Sequence, residues 1–161
     1  MIEMAQKKTL AMKLLDGKKI SYNAYSYPDN LRDAEEVAQA LDLPFERVFK
    51  TLVISRPKPD KNILAMVPAN RQLDLKKLAK SVGDKKLKMA SHRDAEALTG
   101  LQVGGISALA LLNRGFDVYL DQSAAGFEQI IVSAGERGQQ IELAVGDLVK
   151  LTRARYVDLS Q

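Results

Sequence analysis

The sequence predicts a single α/β or α+β domain with a mixed β-sheet, and three observations support this fold class. The chain has 161 residues, about the length of one domain. Strand-like and helix-like segments follow one another without strict βαβ alternation, and several strands are separated only by turns short enough for hairpins. No linker, internal repeat or low-complexity segment divides the chain, so residues 1–161 are expected to form one domain.

The N-terminal segments predict two helices around a strand. Residues 9–16 form an amphipathic helix pattern, and Gly17 is suited to the left-handed conformation that ends helices. Residues 20–27 are rich in tyrosine and predict a strand. Asp33 to Glu36 resembles a capping box, with an acceptor at the cap and a glutamate three residues later. We therefore expect a helix to start there and to run to Leu41.

Two apolar segments with a turn between them predict a hairpin. Residues 48–54 and residues 62–67 are the strongest strand patterns in the chain. Residues 56–61 contain two prolines and four charged side chains, a composition typical of a turn. The two strands are therefore expected to pair.

The rest of the chain predicts three more helices and four more strands. Helices are expected from Asp74 to Gly83, from Ser91 to Gly100 and over residues 146–152, with Asp74 and Ser91 as N-caps. The predicted strands cover residues 86–90, 116–120, 129–133 and 139–143. The last two strands are joined by a glycine-flanked turn at residues 135–138.

The composition excludes several classes of protein. Hydrophobic residues make up 46% of the chain, too many for a disordered tail or a collagen-like fibre. No apolar run approaches the ~18 residues that span a bilayer, and the first residues lack the apolar core of a signal peptide. We therefore expect no membrane association and a cytoplasmic location.

The near absence of two residue types excludes much catalytic chemistry. The chain has no cysteine and one histidine, His92. Disulfides, thiol nucleophiles and cysteine or histidine-rich metal sites are therefore excluded. His92 lies beside charged residues at a predicted helix start, where a capping or surface position is expected rather than a catalytic one. Neither a metal nor a cofactor is expected.

Basic residues are concentrated in the middle of the chain. Residues 71–93 carry eight basic and two acidic groups, a local charge of +6 in a chain whose net charge is +4. Such asymmetry indicates a surface for a polyanion, most commonly nucleic acid, although a solvated helix face has the same composition. The candidate nucleic-acid-binding residues are Lys76, Lys77, Lys80, Lys85, Lys86, Lys88 and, on the later turn, Arg137.

Lys50 is the most informative single residue. Both faces of its strand are otherwise apolar, so the strand is expected to be covered on both sides. An ammonium group there costs desolvation energy unless it reaches water or an anion. A cleft would supply either, and the alternative is a side chain that extends to the rim of the sheet.

Two further segments could contact a ligand through the backbone. Gly104 and Gly105, in the loop before Ser107, allow close approach and can direct N–H groups towards an oxygen. The turn from Ser133 to Gly138 carries exposed charges. Tyrosines of the first strand could stack on a base or sugar, although strand tyrosines more often only pack.

Three segments in register resemble the YbaK/EbsC family of aminoacyl-tRNA editing domains. They cover residues 47–52 (RVFKTL), 103–107 (VGGIS) and 131–138 (IVSAGERG), and residues 72–79 (QLDLKKLA) also match. The similarity runs from about residue 9 to residue 155. Within the family, the motifs are nearest to those of the Cys-tRNA(Pro) deacylases.

The resemblance implies a mixed, partly barrel-like sheet surrounded by helices. It also implies trans-editing, the hydrolytic removal of a wrong amino acid, cysteine first and alanine or another small residue second, from tRNA(Pro). The implied catalytic residues are Lys50, Gly104, Gly105, Ile106 and Ser107. The implied substrate-binding residues are Tyr22, Tyr27, Thr51, Ala108, Ser133 and Gly135. The implied partners are aminoacyl-tRNA and a prolyl-tRNA synthetase, without a cofactor.

One departure from the family pattern leaves an alternative open. Ala108 stands where the family's loop commonly has proline, which would restrict φ. Gln140 likewise occupies a position that is often acidic. A relative that binds tRNA or a synthetase without turnover is therefore the alternative function, and a nucleotide-binding regulator is a third.

Overall fold

Two β-sheets and five short helices make up the part of the chain that the computed structural model describes, residues 8–31, 33–57 and 61–161. The helices are α1 (Leu10–Gly17), α2 (Ala34–Ala40), α3 (Leu75–Val82), α4 (His92–Thr99) and α5 (Val145–Thr152). The strands are β1 (Tyr22–Ser26), β2 (Phe49–Ser55), β3 (Ile63–Pro68), β4 (Lys88–Met89), β5 (Asp117–Asp121), β6 (Gln129–Ser133), β7 (Gln139–Ala144) and β8 (Arg155–Val157). None of these helices is long and apolar enough to cross a membrane.

The two sheets are joined at one point. The smaller sheet is antiparallel in the order β1-β7-β6, and the larger one has the order β4-β2-β3-β5-β8. In the larger sheet the β3–β5 and β5–β8 pairs are parallel, so the sheet is mixed. A parallel bridge between Val48 and Ile131 connects β2 to β6. The predicted mixed α+β architecture is therefore confirmed, in the form of two sheets that meet at this bridge.

Strand β2 is covered on both faces, as its sequence predicts. Phe49 and Val53 belong to the largest core, which both sheets share. Ile54 and Leu52 belong to a second core, which α3 covers with Leu78. Lys50 lies on the same face of β2 as the second core, because side chains alternate along a strand.

Helix caps are where local sequence predicts the structure best. Asp74 accepts hydrogen bonds from the N–H groups of Lys76 and Lys77, and Ser91 accepts one from Asp94. Gly83 and Gly100 end the same two helices in the left-handed conformation, with φ of 71° and 73°. These predictions depend only on residues a few positions apart, and they are confirmed.

Two cap predictions are wrong in detail. Gly17 is the last residue of α1, and the left-handed residue is Lys19, with φ of 58°. Asp33 precedes α2, but its side chain makes no capping hydrogen bond. The 3-10 turn over residues 45–47 follows Pro44, where the sequence predicts a short turn, whereas strand β8 and the 3-10 turns over residues 109–111 and 122–126 were not predicted. Part of the turn predicted at 56–61 lies outside the described residues.

Asp121, at the end of β5, anchors the C-terminal segment, and we expect its replacement to destabilise the fold. Its buried Oδ1 accepts hydrogen bonds from the N–H groups of Leu159 (2.9 Å) and Ser160 (3.1 Å), and Oδ2 accepts one from Ser123 (3.2 Å). Burial alone raises the pKa of this carboxyl. The hydrogen bonds to its ionised form have the larger, opposite effect, so the pKa lies below its ordinary value. Asp121→Asn should lower the free energy of unfolding by about 1.5–3 kcal/mol at pH 7.

Urea unfolding at several pH values would measure this effect. A carboxyl with a lowered folded pKa stabilises the protein above its unfolded pKa, and the stability is lost as the pH falls through the folded pKa. The difference between wild type and Asp121→Asn should therefore shrink below the ordinary value of 3.8. Asp158→Asn, at an exposed ion pair with Lys77, is the control and should cost less than about 1 kcal/mol. Equal losses for both variants would contradict the assignment.

Candidate functional site

A row of polar side chains crosses the junction between the two sheets. Tyr25, Gln140 and Ser133 are directly opposite one another in β1, β7 and β6, so their side chains share one face of the smaller sheet. Lys50 and Ser133 each lie two residues beyond the bridge between Val48 and Ile131. The register therefore brings the side of β2 that carries Lys50 next to Ser133.

The Lys50 ammonium is half-buried, and no described residue serves as its counterion. Its Nζ donates a hydrogen bond of 3.3 Å to the carbonyl oxygen of Ala69. None of the ion pairs within the described ranges involves Lys50. A single long hydrogen bond uses one of the three donors of an ammonium, so Lys50 can still bind a carbonyl or phosphate oxygen.

Gln140 is a further candidate for the site, which the sequence motifs did not predict. It is 7% exposed, and its Nε2 donates a hydrogen bond of 3.3 Å to the Tyr27 hydroxyl. Its Oε1 is buried and has no hydrogen-bond partner in the part of the chain that the structure describes. Burial raises the pKa of Tyr27, so this hydroxyl stays protonated and can donate a hydrogen bond. A buried acceptor without a partner is costly, and a ligand that donates a hydrogen bond would remove the cost.

One signal in the sequence could have identified Gln140. It alternates with Ile141 and Leu143, which face the largest core, so Gln140 and Glu142 must face the other side of β7. That face is the one that carries Ser133. The pattern does not predict how deeply Gln140 is buried, because the burial depends on α2 and the other segments that pack on this face of the sheet.

The glycine loop is packed backbone to backbone against the turn between β6 and β7. A Cβ atom on Gly105 would lie 2.9 Å from both the backbone N of Arg137 and the carbonyl carbon of Glu136. Gly104 has φ of 94°, which favours glycine. The N–H of Gly105 donates to the carbonyl of Gln102 at 2.8 Å, which closes the turn. Glycine is therefore required at position 105 because the two backbones pack too closely for a Cβ atom. The N–H of Gly105 is not free for a ligand, because it already donates to Gln102.

Residues after the glycines are buried under this turn. Ile106, Ser107 and Ala108 are at most 8% exposed. The Ser107 Oγ accepts a hydrogen bond of 3.3 Å from the N–H of Ala110 and so supports the following 3-10 turn. Ala108 has φ of −62°, the value that a proline would impose. The replacement of the family's proline is therefore compatible with an unchanged backbone at this residue.

The turn that follows β6 completes the wall beside the loop. Gly135 has φ of 99°, and a Cβ there would meet the side chains of Ala110 (3.3 Å) and Ser107 (3.8 Å). The Ser133 Oγ accepts a hydrogen bond of 3.1 Å from the N–H of Gly135. A groove of about 580 Å³ opens outside this turn, lined by Asp29, Asn30, Gly100, Leu101, Gln102, Gly135, Glu136 and Arg137.

A buried ion pair holds the start of β2 against the smaller sheet. Arg47 pairs with Glu142, and its Nε also donates to the carbonyl of Gln129 at 3.2 Å. Asn23 and Tyr25 donate further hydrogen bonds to Glu142 Oε1, at 2.9 and 3.3 Å. Burial alone raises the pKa of Glu142. These donors have the larger, opposite effect, so the pKa lies below its ordinary value and the carboxylate stays ionised. This cluster lies next to the bridge that positions Lys50.

Two predicted substrate-binding residues lie apart from this row. Tyr22 is opposite Leu143, packs against the largest core and lies near Asp16, whose carboxylate adds to the effect of burial in raising the pKa of Tyr22. Thr51 is on the face of β2 opposite to Lys50, and its buried Oγ1 has no hydrogen-bond partner among the described residues. The register places neither side chain beside Lys50 and Ser133.

The predicted nucleic-acid-binding residues divide into three groups. Five are exposed on α3 and the segment up to β4: Lys76, Lys80, Lys85, Lys86 and Lys88. Lys77 is instead bound to the Asp158 carboxylate and to the carbonyl of Ser160, at 2.9–3.2 Å. Arg137 lies in the turn beside the glycine loop. Within the described ranges, no group of three or more acidic or histidine side chains could hold a metal ion.

Comparison with known proteins gives one consistent result. Residues 28–151 match the family model described as "Aminoacyl-tRNA editing domain". The chain is 40% identical over 158 residues to EbsC of Enterococcus faecalis, provisionally named as a Cys-tRNA(Pro)/Cys-tRNA(Cys) deacylase, and the match covers 96% of this chain and 94% of that protein.

A synthetase and a solved structure give further matches. The chain is 33% identical over 78 residues to a proline–tRNA ligase of Thermosipho africanus, which is 48% of this chain and 14% of the ligase. A crystal structure provisionally described as a trans-editing enzyme for prolyl-tRNA synthetase superimposes with a TM-score of 0.76 at 27% identity, over 87% of each chain.

Proposed function

The chain belongs to the family of aminoacyl-tRNA editing domains, and from that premise we propose that it is a trans-acting deacylase for misacylated tRNA(Pro). The expected amino acid is cysteine, with alanine or another small residue as the second choice. The name of the EbsC relative supports deacylation as the reaction. The similarity to a prolyl-tRNA ligase supports tRNA(Pro) as the tRNA.

One observation carries the proposal. Among the described residues the Lys50 ammonium has no counterion and Gln140 Oε1 has no hydrogen-bond partner, and Lys50 lies on the face that carries Ser133 and Gln140. Charged and polar groups that lack partners in the free protein are costly, and a site for a polar ligand explains why they are retained.

The chemistry requires no side-chain nucleophile. Lys50 would bind the ester carbonyl or the phosphate of the terminal adenosine. The N–H groups of Gly104, Ile106 and Ser107 are the remaining backbone donors of the loop, and we assign to them the oxyanion that forms as the carbonyl is attacked. Water attacks the carbonyl carbon, the bond to the ribose oxygen breaks, and that oxygen takes up a proton. With a cysteinyl ester, the substrate's own thiol can attack instead.

The buried polar groups suggest how the aminoacyl end is held. Its α-ammonium is a donor of three hydrogen bonds, and Gln140 Oε1 is an acceptor without a partner among the described residues, beside the Tyr27 hydroxyl.

Editing is needed because a pocket that accepts proline discriminates poorly against residues of similar or smaller size, since a methylene contributes only about 1–3 kcal/mol. A second site must therefore remove the errors.

Deacylation of a panel of esters tests the proposal. Purified protein would be incubated with cysteinyl-, alanyl- and prolyl-tRNA(Pro) and with cysteinyl-tRNA(Cys), next to the same esters in buffer. We expect rapid loss of cysteinyl-tRNA(Pro), slower or no loss of alanyl-tRNA(Pro), and no loss of prolyl-tRNA(Pro). Loss of cysteine from both tRNAs would show that the tRNA is not selected.

The non-catalytic alternative makes a different prediction in the same experiment. If every ester decays at the buffer rate while the tRNA still binds, the deacylase proposal is wrong and the binding relative is supported. If the protein also fails to bind tRNA, the nucleotide-binding regulator is the function that remains. The φ of Ala108 weakens the argument for lost turnover, because the loop keeps the conformation that proline would enforce.

The exposed lysines of α3 and the segment after it are the proposed contact with the tRNA backbone. We expect the combined change Lys80→Gln, Lys85→Gln and Lys86→Gln to weaken tRNA binding and to flatten the plot of log affinity against log salt by about 0.7–0.9 per lost phosphate contact. Binding would be measured by fluorescence anisotropy at several salt concentrations, and kcat should be unchanged because the proposal gives these side chains a role in binding alone.

A matched control removes the same charge elsewhere. Lys150, Arg153 and Arg155 are exposed near the C-terminus, and their combined change to glutamine should affect binding much less. If both triple variants weaken binding equally, the effect comes from net charge and not from this surface.

A prolyl-tRNA synthetase is the proposed second partner, and a cytoplasmic location follows from an aminoacyl-tRNA substrate.

A further inference from the structure

Both polar groups of one peptide residue, Val103, are held by charged side chains from two other elements. The N–H of Val103 donates to Glu96 Oε2 at 2.8 Å, and its carbonyl accepts from Arg137 Nε at 2.7 Å. Glu96 is on α4, and Arg137 is on the turn between β6 and β7. The two side chains also approach each other, with 3.8 Å between Arg137 Nη2 and Glu96 Oε2. Hydrogen bonds with an ionised partner are stronger than neutral ones.

Val103 is the residue at which the conformation of the glycine loop begins. Gly104 follows it with φ of 94°, and Gly105 is pressed against the backbone of Glu136 and Arg137. The same turn is therefore in contact with the loop twice, through the Gly105 backbone and through the Arg137 side chain. A change at Val103 would rotate the N–H groups that follow it.

We propose that Glu96 and Arg137 are positioning residues that clamp Val103 and thereby orient the backbone donors of the glycine loop. This inference rests on the proposed deacylase function. Neither side chain needs to touch the substrate, because each acts through the Val103 peptide. The expected effect is on the transition state, where donors must meet the oxyanion, and not on the binding of the tRNA.

The surroundings of Arg137 favour this role over the nucleic-acid contact that the sequence suggests. The Arg137 side chain is 19% exposed and already bound to Val103 and Glu96. The groove beside it is lined by two carboxylates, from Asp29 and Glu136. A polyanion would therefore meet acidic groups next to a guanidinium whose charge is already paired.

Steady-state kinetics of Glu96→Ala, Glu96→Gln, Arg137→Ala and Arg137→Lys would test the clamp. We expect the two alanine variants to lower kcat by about 10–100-fold, with KM and tRNA affinity within about threefold of wild type. Glu96→Gln keeps an acceptor for the Val103 N–H and should recover most of the activity. The double alanine variant should lose less than the product of the single losses, because the two residues hold one peptide. Asp94→Ala, exposed on the same helix, is the matched control.

A second readout does not depend on activity. Amide hydrogen exchange of Gly104 and Gly105 by NMR should become faster in both alanine variants and stay unchanged in Asp94→Ala. If wild type deacylates no ester, the proposed function fails while this measurement still tests the clamp. Unchanged exchange and unchanged kcat in both alanine variants would overturn the inference. So would a loss of tRNA affinity at constant kcat in Arg137→Ala, which would make Arg137 a nucleic-acid contact.

Discussion

Lys50→Ala is expected to reduce deacylation of cysteinyl-tRNA(Pro) by about 10²–10³-fold, the range found when one preorganised charge-stabilising donor is removed. The side chain projects from a strand that both cores cover, so its backbone attachment is fixed. Within the described residues it donates one hydrogen bond, the 3.3 Å contact with the Ala69 carbonyl, so few interactions are lost with it. The fold should therefore survive, and the loss should appear in kcat.

Single-turnover deacylation and thermal unfolding of the same preparations would separate the two effects. Lys50→Met keeps the apolar stem and should be as inactive as Lys50→Ala, whereas Lys50→Arg keeps the charge and should retain part of the activity. An exposed lysine, changed as Lys150→Ala, is the control. If Lys50→Ala keeps wild-type kcat at an unchanged unfolding midpoint, Lys50 has no part in the reaction and the proposed site is wrong.

Gly105→Ala is expected to be the second severe change. The added methyl group would lie 2.9 Å from backbone atoms of Glu136 and Arg137, which cannot move aside as a flexible side chain could. The loop and the turn must separate, at a cost of about 1–3 kcal/mol in the free energy of unfolding. The displacement also moves the loop's N–H groups, and a misplacement of about 1 Å can lower kcat by about 10²-fold.

Gly146→Ala is the matched control for this variant. Gly146 lies in the first turn of α5, and an added Cβ there meets no atom within 4 Å. Because alanine is the better helix former, the control should be as active as wild type and up to about 1 kcal/mol more stable. Urea unfolding and deacylation would be measured on both variants. A Gly105→Ala protein with wild-type activity would show that the close contact is not needed for the reaction.

The elements of the fold were largely predictable, because strands and helices depend on local patterns. The two-sided apolar pattern of residues 48–54 identified a covered strand, and Asp74 and Ser91 identified helix starts. The short strand β8 was missed because three residues form a strand only where β5 offers a free edge. Lys19 and not Gly17 has the left-handed conformation, since the helix continues one residue further than the glycine suggests.

The candidate site was predictable only in its parts. The motifs around Lys50, Gly104–Gly105 and Ser133 could be recognised one by one, but each was ambiguous alone. Gln140 was outside the candidate set, because an unpaired buried acceptor is defined by what packs around it. The hydrogen bond between Arg137 and Val103 could not be predicted, because a charged turn residue gives no sign of a partner 34 positions away in the chain.

The sequence by itself therefore determined the types and order of most elements, the helix caps and the absence of thiol or histidine-rich chemistry, since these depend on composition and on neighbours within a few residues. Only the tertiary structure decided which polar groups are left without partners, which strands lie side by side and which charges are already paired. The physical reason is that a hydrogen bond forms only between atoms about 3 Å apart, and for residues distant in the chain that separation is set by the packing of the whole sheet.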